Sequence, residues 1–105
     1  MLRISSGSLQ GRVIPMHKNS NYRPTTNKIR NAIFNILSSG QFLDEHIFAN
    51  ANMLDLFSGT GSISFEAISR GIANVTLIDI EPTHLELCQE MAGKLGLLGQ
   101  MQFMR

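Results

Sequence analysis

With 105 residues, 43% of them hydrophobic, the chain has room for one small domain with a core of its own and not for two. No apolar run approaches the about 20 residues needed to span a bilayer, and the amino end lacks the continuous apolar stretch of a secretory signal, so a cytoplasmic chain with no membrane partner is expected. The formal charge of +1 hides an asymmetry: residues 1–43 carry six basic side chains and no acid, whereas residues 44–105 carry eight acids against three bases. A basic segment beside an acidic one points to a polyanion, nucleic acid foremost, with a merely solvated basic face as the alternative.

Taken in chain order, Leu2–Ser5 and Gly11–Met16 read as two short strands joined through Ser6-Gly7-Ser8, giving a hairpin that carries Arg3 and Arg12. Pro15 confines the second strand to an edge or an end. Residues 17–21 are polar and irregular; Tyr22 and Arg23 close this loop, placed either to meet a nucleotide or to pack. Pro24 disfavours helix at Arg23, and Thr25 or Thr26 can cap the helix that follows. In that helix Ile29, Ala32, Ile33, Ile36 and Leu37 share one face, which is the expected core face, with Gly40 as terminator. Lys28, Arg30, Asn31 and Asn35 lie outside the stripe. Residues 41–52 read as a connection with a helical turn at 42–48, where His46 has no second ligand at metal-binding spacing.

Residues 53–57 are then mostly apolar and run into Ser58-Gly59-Thr60-Gly61-Ser62, the pattern of a buried parallel strand feeding a helix. The glycines suit a sharp turn and close backbone approach to a ligand. Ser64 stands where a dinucleotide fingerprint wants glycine or alanine, and Asp55 beneath the turn suits cationic or hydroxyl groups better than a pyrophosphate, which disfavours an NAD site. Alone, the Gly-x-Gly could be only a turn. A helix from about Ser62 to Arg70, with Ile63, Ala67 and Ile68 inward, closes at Gly71. The next strand, 75–79, ends in Asp79, twenty residues after Gly59, where such folds place a carboxylate for two adjacent ribose hydroxyls. Pro82 opens a second helix whose apolar face is Leu85, Cys88, Met91, Ala92 and Leu95, ended by Gly96. Cys88, the only cysteine, is expected to be buried and inert, and it rules out an intrachain disulfide or cysteine-cluster metal site; no metal is expected. A third strand starts at Met101.

With Asp-x-Phe-x-Gly-x-Gly at 55–61, Asp79, and Arg23-Pro24-Thr25-Thr26 in place, the sequence resembles the class I S-adenosylmethionine-dependent methyltransferases. Within them it is most similar to the bacterial 16S ribosomal RNA guanine-N2 methyltransferase family. The likeness runs from Leu2-Arg3-Ile4-Ser5-Ser6-Gly7 through Arg30-Asn31-Ala32-Ile33-Phe34-Asn35-Ile36-Leu37 to Glu66-Ala67-Ile68-Ser69-Arg70-Gly71. It implies an α/β chain: a basic β-hairpin and RNA-contacting loop at 1–22, then the cofactor-binding half of a Rossmann-like domain at 23–105. It further implies that Asp55, Phe57, Ser58, Gly59, Thr60 and Gly61 border the methionine part of S-adenosyl-L-methionine, that Asp79 holds its ribose and Ile80 flanks its adenine. Arg3, Arg12, Arg23 and Arg30 would then contact phosphates of ribosomal RNA or the small ribosomal subunit.

The family's catalytic tetrapeptide, Asn or Asp followed by Pro-Pro and an aromatic, is not among these residues, since the three prolines are at 15, 24 and 82. No catalytic residue is therefore assigned, and the chain is expected to be an amino-terminal piece. The family's strand order makes its first strand central, so Leu54 to Phe57 is expected to present an open edge prone to self-association. Two other readings stand beside the RNA methyltransferase: a DNA adenine-N6 methyltransferase, and a non-catalytic RNA-binding module with a vestigial nucleoside site.

Overall fold

The computed structural model describes residues 2–15, 27–37, 49–56 and 58–105. The expected threonine cap at Thr25 or Thr26, Gly40, the turn at 42–48 with His46, and the site residues Arg23 and Phe57 lie outside them.

Residues 2–15 form the expected antiparallel hairpin, bridged at Arg3 and Val13, with Ile4 N–H donating to Arg12 O at 2.9 Å and Ile14 N–H to Leu2 O at 2.9 Å. Leu2, Ile4 and Ile14 are buried in the same core as the rest of the fold, so the hairpin is packed onto the α/β unit rather than hung from it.

The elements then run α1 (Asn27–Leu37), β1 (Asn52–Leu56), α2 (Ser62–Ser69), β2 (Asn74–Ile78), α3 (Pro82–Lys94) and β3 (Met101–Met104). Both strands that flank the glycine turn begin one residue earlier than the apolar runs suggested. All three strands are parallel, in the order β1-β2-β3, with Met53 opposite Val75 and Val75 opposite Met101. Two successive strand–helix–strand units account for this order, because a parallel return needs a crossover.

Strand alternation sorts the two sheet faces. Val75, Leu77 and Met101 are buried beneath the helices with Phe65, Ala67, Ile68, Leu85, Cys88, Met91 and Ala92. Leu54, Leu56 and Met104 occupy the other face and are more than half exposed. Pro82 opens α3 in its first turn, and Gly96, at φ 72°, follows its end as expected.

Helix α1 departs from expectation. Ile29, Ile33 and Ile36 face outward, and Ala32 is exposed too, while Arg30 and Phe34 are fully buried and Leu37 is half-buried. The helix is thus turned by one residue, about 100°. Its inward positions are fixed by a buried acid on α2 rather than by the isoleucine stripe. Among the described residues, no helix is long and apolar enough to cross a membrane.

Candidate functional site

The carboxyl ends of β1 and β2 meet the glycine turn at one place. Beyond β1 the ladder continues by one bond, Ser58 N–H to Ile78 O at 2.9 Å, which seats the turn against the end of β2. Gly59 and Gly61 adopt φ 53° and 78°, the left-handed region where a side chain is strained. For Gly61 a second reason appears: a Cβ there would come within 2.8 Å of Cys88 Sγ and 3.0 Å of the Phe65 ring. The close approach at this glycine is to α3 and α2, which lets both helices press on the turn.

Asp79 follows β2 on the helix side of the sheet, in step with Val75 and Leu77. Its Oδ2 accepts the Gly59 N–H at 2.8 Å, and its Oδ1 accepts the Glu81 N–H at 2.9 Å. His84 Nδ1 lies 3.3 Å from Oδ2. Burial alone would raise this carboxyl, but the Glu81 and Gly59 amides and the His84 ring outweigh it, so it is held below the ordinary aspartate value. Asp79 is therefore an anion whose only role in these bonds is to accept.

Asp55 occupies the same side of the sheet, and Ser64 Oγ donates to its Oδ2 at 2.6 Å. Ser64 is fully buried. Its departure from the dinucleotide fingerprint is thus explained: a hydroxyl in the first turn of α2 satisfies the acid beneath it. Burial pushes the Asp55 carboxyl up; the Ser64 bond opposes this and the charge of Asp79 adds to it. Thr60 Oγ1 accepts the Ser62 N–H at 3.2 Å, taking one free amide of the helix start. The Ser58 hydroxyl is buried and has no hydrogen-bond partner among the described residues. Ile80 is 79% exposed directly beside Asp79. Cys88 lies under the turn, its Sγ 3.3 Å from Thr60 O, and burial followed by the charges of Asp55 and Asp79 pushes the thiol up to about 12.

So the structure brings Asp55, Ser58, Gly59, Thr60, Gly61, Asp79 and Ile80 together. Sequence reasoning missed His84 and the contact of Cys88 with the turn. His84 stands five residues after Asp79, one turn into a helix that starts from the same strand end, and that spacing was the available signal.

Of the four arginines expected on RNA, Arg3 and Arg12 are exposed on the hairpin. Arg30 requires correction. Its Nε donates to Glu66 Oε1 at 3.0 Å with both side chains fully buried, and its Nη2 donates to Arg3 O and to Ser5 Oγ. A guanidinium so enclosed cannot reach a phosphate; it ties α1 to α2 and the hairpin. Glu66 is the centre of that knot, accepting also the Ser5 and Ser6 N–H groups at 2.8 and 3.2 Å and Arg70 Nε at 2.8 Å. The signal for it in the sequence is an acid on an otherwise apolar helix, beside a segment, residues 1–43, with six cations and no acid of its own.

The sequence model of the family described as conserved hypothetical protein 95 matches residues 2–105. The chain belongs to this family. An uncharacterized methylase of Rickettsia prowazekii is 42% identical over 104 residues, covering 98% of the chain and 44% of that protein. The ribosomal RNA small subunit methyltransferase D of Escherichia coli is 35% identical over 80 residues, covering 76% of the chain and 37% of that protein. A solved Escherichia coli structure, yhhF, described as a candidate methyltransferase, superposes with a TM-score of 0.79 at 26% identity, over 98% of the chain and 50% of its own. The chain thus spans half or less of the length of these family relatives, and its α/β fold is that of methyltransferases.

Proposed function

We propose that these residues form the cofactor-binding part of an S-adenosyl-L-methionine-dependent ribosomal RNA methyltransferase, acting in the cytoplasm on the exocyclic N2 amine of a guanine in 16S RNA. The observation that carries the reading is the Asp79 carboxylate, bonded to the Gly59 amide at the ends of neighbouring parallel strands with Ile80 exposed beside it. That arrangement suits a nucleoside: hydroxyls on the acid, a base along the apolar side chain. The unpartnered Ser58 hydroxyl fits a polar ligand at the same turn. The names of the relatives support the reaction class and the RNA substrate.

In this reading Asp79 holds the ribose, Ile80 flanks the adenine, and Asp55 with residues 57–61 borders the methionine moiety. The cofactor supplies an electrophilic methyl group. What the described residues contribute is placement, since the Gly59 amide fixes Asp79 and the Ser64 hydroxyl fixes Asp55. Arg3 and Arg12, with Arg23, supply phosphate contacts that orient the RNA without choosing a base. The tetrapeptide that would orient the target amine is not among these residues, so methyl transfer is assigned to the whole protein.

Calorimetric titration with S-adenosylhomocysteine tests the site. Asp79→Asn removes a charged acceptor and is expected to weaken binding about ten-fold or more; equal affinity would refute the assignment. Charge reversal at Arg3 and Arg12 is expected to lower affinity for 16S RNA and flatten its salt dependence, with cofactor binding unchanged.

A further inference from the structure

The hydrogen bonds around Asp79 leave too few acceptor positions for the role just proposed. An ionised carboxylate offers about four, two on each oxygen. Among the described residues three are filled: Oδ1 by the Glu81 amide, Oδ2 by the Gly59 amide and by His84 Nδ1. Two adjacent ribose hydroxyls that each donate to a different oxygen need one position on each. Oδ1 has one left, while Oδ2 has none. One of its donors must withdraw.

The Gly59 amide is fixed by the turn, at 2.8 Å. The His84 contact is longer, at 3.3 Å, and belongs to a side chain that rotates about its own bonds. Resting on the cofactor reading above, we propose that His84 is the displaceable donor at Asp79: it holds the carboxylate until a ribose diol takes its position on Oδ2. His84 is thus a positioning residue whose protonation sets how readily the diol enters.

The sign follows from the charges. Because Asp79 only accepts, Nδ1 carries the proton in this contact. Adding a second proton to the ring converts a neutral hydrogen bond into a charge-assisted one, roughly twice as strong. A diol competes poorly with that pair. Acidification that adds this proton therefore weakens nucleoside binding, by about five-fold if the pair is strengthened as charged hydrogen bonds usually are. Among the described residues, the other titratable groups at this site are Asp55 from β1, Glu81 in the turn, whose Oε1 accepts from Thr83 Oγ1, and Cys88 one turn along α3. Since carboxylates also titrate on the acid side, the effect must be assigned with variants at position 84.

The experiment is titration of the protein with S-adenosylhomocysteine at pH 5.5, 6.5 and 8.0, for the wild type, His84→Leu and His84→Gln. The wild type is expected to bind about five-fold more weakly at pH 5.5 than at pH 8.0. Both variants are expected to bind at pH 8.0 at least as well as the wild type and to lose most of that pH dependence. His84→Gln, which keeps a neutral donor of similar length, guards against a folding defect in His84→Leu. In NMR, the His84 ring of the wild type is expected to shift on saturation with the nucleoside. A wild-type pH profile retained in both variants, or binding lost at pH 8.0 in both, overturns the proposal. Failure of the wild type to bind at any pH overturns instead the cofactor reading beneath it.

Discussion

Gly7 sits where no other residue fits. Its φ of 90° is in the left-handed region, and a Cβ built on it would lie 1.9 Å from Ser69 O, a backbone atom that already accepts the Ser8 N–H at 2.9 Å. Backbone conformation alone makes a side chain there cost at least about 1 kcal/mol, and the collision adds to that by forcing the hairpin off α2. Gly7→Ala is expected to lower the urea midpoint clearly, and Gly11→Ala less so: Gly11 has a similar φ of 87° but open space around its Cβ position. Equal midpoints for the two variants would mean that the contact with Ser69 is not made. Cys88 gives a second residue-level test. With its thiol pushed up to about 12, only about one molecule in ten thousand is a thiolate at pH 8. Native protein is expected to resist iodoacetamide and to react fully once unfolded in urea; native alkylation at the rate of a free thiol would contradict the packing against Thr60.

At the scale of elements, Glu66 joins three pieces that the chain order keeps apart. The hairpin meets it through the Ser5 and Ser6 amides, α1 through Arg30, and α2's own last turn through Arg70. Arg70 also reaches Asn31 and Asn35 on α1 and lies 5.4 Å over the Phe34 ring. Glu66→Ala would leave the Arg30 charge buried without its acid, a change that typically costs about 3–5 kcal/mol. That is a large share of the roughly 5–15 kcal/mol available to a domain. Burial would raise the Glu66 carboxyl, but the Ser5 amide and the Arg70 and Arg30 guanidiniums outweigh it and hold it low. A carboxyl depressed in the folded state contributes stability above its unfolded value and loses it as pH falls. The wild type is therefore expected to lose stability from about pH 4.3 downward, and Glu66→Gln to lose less over the same range. The same cluster shows what could be read from sequence. The strands, the glycine turn, the two following helices and the meeting of Asp55 with Asp79 were legible, because period-two and period-3.6 patterns and turn glycines are local signals. The orientation of α1 was not, since Arg30 counts as a surface residue until its partner 36 positions away is known. Periodicity therefore chose the isoleucines.

At the scale of the whole molecule, the parallel sheet is covered on one side only among the described residues. Such sheets ordinarily have both faces buried, yet Leu54 and Leu56 are each 57% exposed and Met104 54%, on the face away from α2 and α3. Strand β1 stands at the edge of the described sheet, its outer backbone groups without a neighbouring strand. Ile29, Ile33 and Ile36 add a second exposed apolar row on α1. The relatives have more than twice this length of chain. For the 105-residue polypeptide, an unpaired edge beside an uncovered apolar face favours pairing with a second copy, which both extends the sheet and buries Leu54 and Leu56. Sedimentation velocity over a micromolar concentration series is expected to show association. Leu54→Lys combined with Leu56→Lys is expected to shift the distribution to monomer without loss of helix signal, because neither side chain lies in the core and edge charges oppose strand pairing. A wild type that stays monomeric across the series would show that solvent covers this face. Association unchanged by the two lysines would place the contact elsewhere, with the isoleucine row of α1 as the next surface to charge.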